Sequence, residues 1–175
     1  MARNKDPRME VPVSIGPTLK TQLVKAIVAA LQVAAFAPGD AKYDKVLLFE
    51  DVKVGTIDDL DIKMTPCCAI EVGETVIRDN IGMVIDKQTR LYAHVKLIGG
   101  LGVDPGPLLD YYFARIANVL VTPDHFADIA FDISEAGNNP QYLGPSDPEP
   151  GGSIYFDMDY RHGRGNHFSE DPDYD

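Results

Sequence analysis

Cys67 and Cys68 are the only cysteines among the 175 residues, and they are adjacent. Two thiols could bind a metal ion or pair as a disulfide. Zinc sites space their thiolates two or more residues apart so that both face one ion. Neighbours in a strand point to opposite faces instead. With no third cysteine, a disulfide framework is excluded and a reducing compartment is expected. Both residues are therefore expected to be small buried core residues. His162 and His167 flank Gly-Arg-Gly-Asn, near Asp157 and Asp159. They could hold a cation, but a polar glycine-rich segment preorganises no ligand, so a mobile contact segment is expected. His94 and His125 lie in no local signature of a serine or cysteine nucleophile. Asp58, Asp59 and Asp61 lack the length, glycine and closing glutamate of a calcium loop. Gly99–Gly102, Gly-Gly-Leu-Gly, lacks the following Lys-Ser/Thr of a phosphate loop, and Asp104 would repel the phosphate. No catalytic residue, metal site or cofactor is expected.

The chain carries 16 Lys and Arg against 27 Asp and Glu, a formal net charge of −11. That charge argues against a surface that grips nucleic acid or an anionic membrane. No apolar run reaches the roughly 18–20 residues that span a bilayer, and the N-terminus has no apolar core of a secretory signal. The charge is uneven. Residues 123–175 hold 12 Asp and Glu against only Arg161 and Arg164, whereas residues 1–122 hold 15 acids and 14 bases. An assembly subunit whose two ends meet different partners would carry such a split; so would a chain with a solvated acidic tail.

Hydrophobic periodicity supplies the elements. Residues 1–16 read as an extended arm, with a short strand at Val11–Ile15. Pro17 opens an amphipathic helix whose apolar face runs from Leu19 to Ala34, ended by Pro38–Gly39. Lys45–Glu50 reads as a strand and Asp51–Met64 as an irregular loop. Strands follow at Cys67–Val72, Thr75–Ile85 and Arg90–Ile98, with Asp86–Thr89 as a turn. Asp104 and Pro105 start a second helix, which ends before Pro123. Asp128–Ser134 is a strand, Ala136–Gly152 a loop, and Ser153–Tyr160 the last strand. In that strand Tyr155, Asp157 and Asp159 share one face. These elements predict an α+β two-layer domain, an antiparallel or mixed sheet of about six strands covered by two helices. The expected division is an arm at 1–16, one domain at 17–161, and a polar acidic tail at 162–175.

The order of elements, the Asp-Pro-Gly-Pro-Leu-Leu-Asp-Tyr-Tyr-Phe helix and the closing Ser-Ile-Tyr-Phe-Asp-Met-Asp-Tyr-Arg-His-Gly-Arg-Gly-Asn-His stretch resemble the lambda-type tail terminator proteins of long-tailed bacteriophages. The resemblance covers roughly residues 17–166. Only the strand end Phe156–Arg161 transfers from the family. The resemblance implies a virion protein of the tail and neck, assembled in the host cytoplasm. It implies a homo-hexameric ring that caps the tail tube protein, ends its polymerisation and docks the head-side connector or stopper. The loops 51–65 and 136–152 would reach a sheath protein where one is present, and DNA would be only cargo in the channel. Contacts with a subunit or partner are expected at Tyr155, Asp157, Asp159, Arg161, His162 and Arg164, with Arg161 and Arg164 pairing across the contact. Two other readings stay open: another neck or tail component, such as a head–tail stopper or minor tail protein, and a small cytoplasmic ligand-binding domain or enzyme.

Overall fold

A computed structural model describes residues 18–43, 45–81, 84–99, 104–122, 132–142 and 146–163, together with residues 126, 130 and 144. The predicted arm, Arg164 and the rest of the tail lie outside the described residues. The fold is α+β. One mixed sheet of β1 (Asp51–Val54), β2 (Cys67–Ile81), β3 (Val84–Lys96), β4 (Asp132–Gln141) and β5 (Gly151–Gly163) is covered by α1 (Leu19–Gln32) and α2 (Gly106–Leu120). The strand order is β1-β2-β3-β5-β4. β1 runs parallel to β2, and every other pair is antiparallel. The sheet has five strands where about six were expected.

Thr18 starts α1 by accepting the Thr21 N–H on its hydroxyl, which satisfies one of the orphan donors of a first turn. Leu23, Ile27 and Leu31 then fall on one buried face. The helix stops at Gln32, well before the expected Pro38–Gly39. Past that point the chain reverses and packs on itself. Leu48 N–H bonds to Ala34 O, Phe36 N–H bonds to Val46 O, and Ala35 bridges Leu47. The tertiary hydrogen bonds replace those that another helical turn would have made. The expected strand at residues 45–50 is thereby reduced to that single bridge, and Leu48 and Phe49 serve as core residues.

Residues 51–64 are more ordered than expected. They hold β1 and two 3-10 turns, Ile57–Asp59 and Ile62–Met64. The connection from β1 to β2 must cross over, because parallel neighbours cannot be joined by a tight hairpin. The strands expected at 67–72 and 75–85 join up to Ile81 as one strand, β2, with register shifts at Val72/Thr75 and Ile77/Asp79. Val84 and Ile85 belong to β3, which also takes in Asp86–Thr89, so that tetrad is strand, not turn. β4 runs further than expected. Residues 128, 129 and 131 of the expected strand lie outside the described residues, and β4 extends to Gln141, so residues 136–141 of the expected loop are paired with β5. Asn138, Asn139 and Pro140 hid it, since these types are rare in strands. Pro140 is tolerated on an edge strand, where one backbone side needs no donor.

Both helices cover one face of the sheet. Leu109, Phe113 and Ile116 of α2 join the α1 residues over Ile70, Leu91, Ala93, Val95, Ile154 and Phe156, all fully or almost fully buried. Each such large apolar side chain contributes about 1.5–3 kcal/mol through burial. Odd-numbered residues of β3 and even-numbered residues of β5 face this core. The remaining positions form the opposite face, which neither α1 nor α2 covers and which the 3-10 turns meet at Cys67 and Ala69.

Candidate functional site

The uncovered face is organised by register. β3 and β5 are interior neighbours, and they align residue against residue. Asp86 lies opposite Arg161, Gln88 opposite Asp159, Arg90 opposite Asp157, Tyr92 opposite Tyr155, and His94 opposite Ser153. Each pair interacts. Arg161 reaches Asp86 with two N–H donors at 2.6 and 3.0 Å, and Arg90 does the same to Asp157 at 2.8 and 2.9 Å. Gln88 donates to Asp159 at 3.4 Å and accepts from Arg78 on β2. Direct cross-strand neighbours are the pairs that a sheet brings closest.

The charges respond. The Arg161 hydrogen bonds hold the Asp86 carboxyl below its usual range, and Asp157 raises the pKa of Arg90. Asp159 moves the other way. Burial disfavours its ionised form, and neighbouring Asp132 and Asp157 add to this, while Gln88 and Arg78 oppose it.

The expected contact residues thus separate. Tyr155, Asp157, Asp159 and Arg161 do share the uncovered face, but each already has a partner within the chain. Arg161 in particular pairs with Asp86 of its own chain. His162 is a correction of another kind. β5 continues through it to Gly163, and alternation turns its side chain to the helix-covered side, where it is 1% exposed. It cannot belong to a mobile contact segment. Arg164 lies outside the described residues.

The cysteines lie on opposite faces, as alternation requires. Cys68 belongs to the main core, and Cys67 packs with Leu60, Ala69 and Ile57 beneath the 3-10 turns. Burial raises both thiol pKa values, with Asp51 adding to the effect at Cys67. Neither is poised as a thiolate. Asp59 and Asp61 pin those turns. Asp59 accepts from the Thr56 N–H and hydroxyl at 2.7 and 3.0 Å, which lowers its pKa, and Asp61 accepts from the Lys63 N–H at 2.9 Å. Among the described residues no group of three or more His, Cys, Asp or Glu could hold a metal ion, and no helix is long and apolar enough to cross a membrane.

One constellation escaped sequence reasoning. His94 Nδ1 lies 2.7 Å from Ser153 Oγ, and its Nε2 lies 2.7 Å from Glu71 Oε2. The three residues come from β5, β3 and β2. Separations of 59 and 23 residues leave no local pattern to find. They line a surface depression of about 390 Å³ with Gly73, Tyr92, Asn139 and Tyr155. The Tyr92 and His94 rings stack at an interplanar angle of 2°.

No protein-family model and no curated protein matches this chain.

Proposed function

We propose that the protein is a structural subunit of a long-tailed bacteriophage tail. In this reading, six copies form a ring on the tail tube, stop its polymerisation and offer a docking surface to the head-side connector. The resemblance of residues 17–166 to tail terminators motivates it. The observation that carries it is the openness of the sheet. β1 pairs only with Cys67–Ile70, so among the described residues β2 has no neighbour on that side from Glu71 to Ile81. β4 is the opposite edge. Unpaired edges are templates for a further chain. Two unlike edges on one subunit suit a head-to-tail contact, which closes into a ring when the rotation permits. The reading needs binding alone. The ion pairs along β3 and β5 leave the uncovered face nearly charge-balanced there, so passing DNA would find little to hold it.

The test is electron microscopy of particles assembled without this protein. Irregular, often overlong tails that fail to join heads are expected, because losing a cap removes the stop without blocking growth. Tails of normal length would point instead to a stopper on the head side. A particle reconstruction with this chain outside any six-fold ring would overturn the proposal.

A further inference from the structure

The depression between Tyr92 and Tyr155 holds an arrangement that a ring subunit does not need. We infer that Ser153 is an acyl-accepting nucleophile, with His94 as its general base and Glu71 as the group that orients the base, and that the site hydrolyses small uncharged carboxylic esters.

The argument is geometric. A nucleophilic serine is recognised by a hydrogen bond to a base that a third group holds in place, whatever the fold or chain order. Here both bonds are 2.7 Å. As the base, His94 is the neutral tautomer that donates from Nε2 to the Glu71 carboxylate, which only accepts. Nδ1 is then the lone-pair nitrogen, and it faces the Ser153 hydroxyl, whose proton it can accept. His94 is held further by its stack on Tyr92. Ser153 and His94 are mostly buried, at 9% and 8% exposure, yet both line the depression and so are reached from its open side.

The remaining lining supplies what an ester needs. Asn139 lies opposite Ser153 in the β4–β5 ladder and lines the same depression. Its side-chain amide is the donor available to the carbonyl oxygen as negative charge develops there. The two tyrosine rings give an apolar floor for the acyl chain. A volume of about 390 Å³ suits a small ligand.

The step balances without a co-reactant other than water. Ser153 Oγ forms a bond to the carbonyl carbon and its proton passes to His94 Nδ1. The ester C–O bond breaks, and the alcohol leaves with that proton. Water then attacks the acyl-serine, again giving a proton to His94. The acid departs as Ser153 recovers its proton.

The experiment uses the full chain, a fluorophosphonate probe and p-nitrophenyl acetate, with intact-mass and peptide mapping. One adduct is expected, on Ser153, together with steady release of p-nitrophenol. S153A should abolish both. H94Q keeps a hydrogen-bonding side chain of similar size and should lower the adduct rate by about 100-fold or more. E71Q should lower it less. Urea unfolding of each variant separates lost chemistry from lost folding, and the wild-type adduct stands without any variant. No adduct on Ser153 in the wild-type protein with probe in excess would overturn the inference, as would an adduct rate that H94Q leaves unchanged.

Discussion

Tyr92 and Tyr155 face each other across the centre of the sheet, ring centroids 5.9 Å apart, and each lies over a glycine of its outer neighbour. A Cβ on Gly73 would stand 2.8 Å from Tyr92 Cε2, and one on Gly137 would stand 2.7 Å from Tyr155 Oη. Both glycines fall at register shifts, Val72/Thr75 on β2 and Glu135/Gly137 on β4. The two glycines leave room for the rings on the neighbouring strands. The Arg90 guanidinium lies 5.5 Å from the Tyr155 centroid. Both rings line the depression in which Ser153 and His94 meet.

Replacing either glycine by alanine should destabilise the protein by about 1–3 kcal/mol, the usual range for an added group in a packed place. The two should differ in rescue. Gly73→Ala should be largely rescued by Tyr92→Ala, which removes the clashing ring. Gly137→Ala should be rescued only in part by Tyr155→Ala, because Gly137 has φ +147°, where an L side chain is strained regardless of space. Urea unfolding of the singles and doubles checks this, and equal rescue at both positions would contradict it.

The two arginine–aspartate pairs should not be worth the same. Arg90–Asp157 has side-chain exposures of 41% and 19%, and Arg161–Asp86 of 52% and 24%. Exposed pairs gain little after screening and ordering costs, even when bidentate. Double-mutant cycles to alanine should give a small coupling for each pair, larger for Arg90–Asp157 than for the more exposed Arg161–Asp86. Both should shrink as salt rises.

Asp159 should weaken the fold at neutral pH. Its carboxyl pKa is raised in the folded state above the ordinary 3.8. The folded protein therefore binds that proton more tightly than the unfolded chain. This contribution to stability is complete below the unfolded value and is lost as pH rises through the folded one. Asp159→Asn should thus stabilise the protein at pH 7, by about 0.5 kcal/mol given solvent screening. The gain should vanish below about pH 3.8, where Asp159 is protonated in both states. Chemical denaturation across pH reads the effect, and a gain that persists in acid would argue against the assignment.

His162→Ala should act as a core mutation, not a contact mutation. With the side chain 1% exposed on the helix-covered side of β5, the substitution leaves a void, and a loss of about 1–3 kcal/mol in urea unfolding is expected. Unchanged stability would return His162 to the surface role that the sequence suggested.

Residue types and periodicity alone determined much of this molecule. The helix face of Leu23, Ile27 and Leu31, the second helix up to Leu120, and the alternation of β3 and of Ser153–Tyr160 were all legible. Each is a local repeat of 3.6 or 2 imposed by one buried face. The shared face of Tyr155, Asp157 and Asp159 followed from the same rule. Periodicity carried no information on which strand lies beside which, because pairing is set by contacts far apart in the chain. Only the tertiary structure decided that Arg161 meets Asp86, that β4 recruits Asn138–Gln141 against Gly151–Ile154, and that α1 yields to backbone bonds from residues 46 and 48. The same holds for Glu71, His94 and Ser153. Each looks unremarkable in its own strand, and the order β2-β3-β5 joins them, because antiparallel register places same-face residues of neighbouring strands within hydrogen-bond reach.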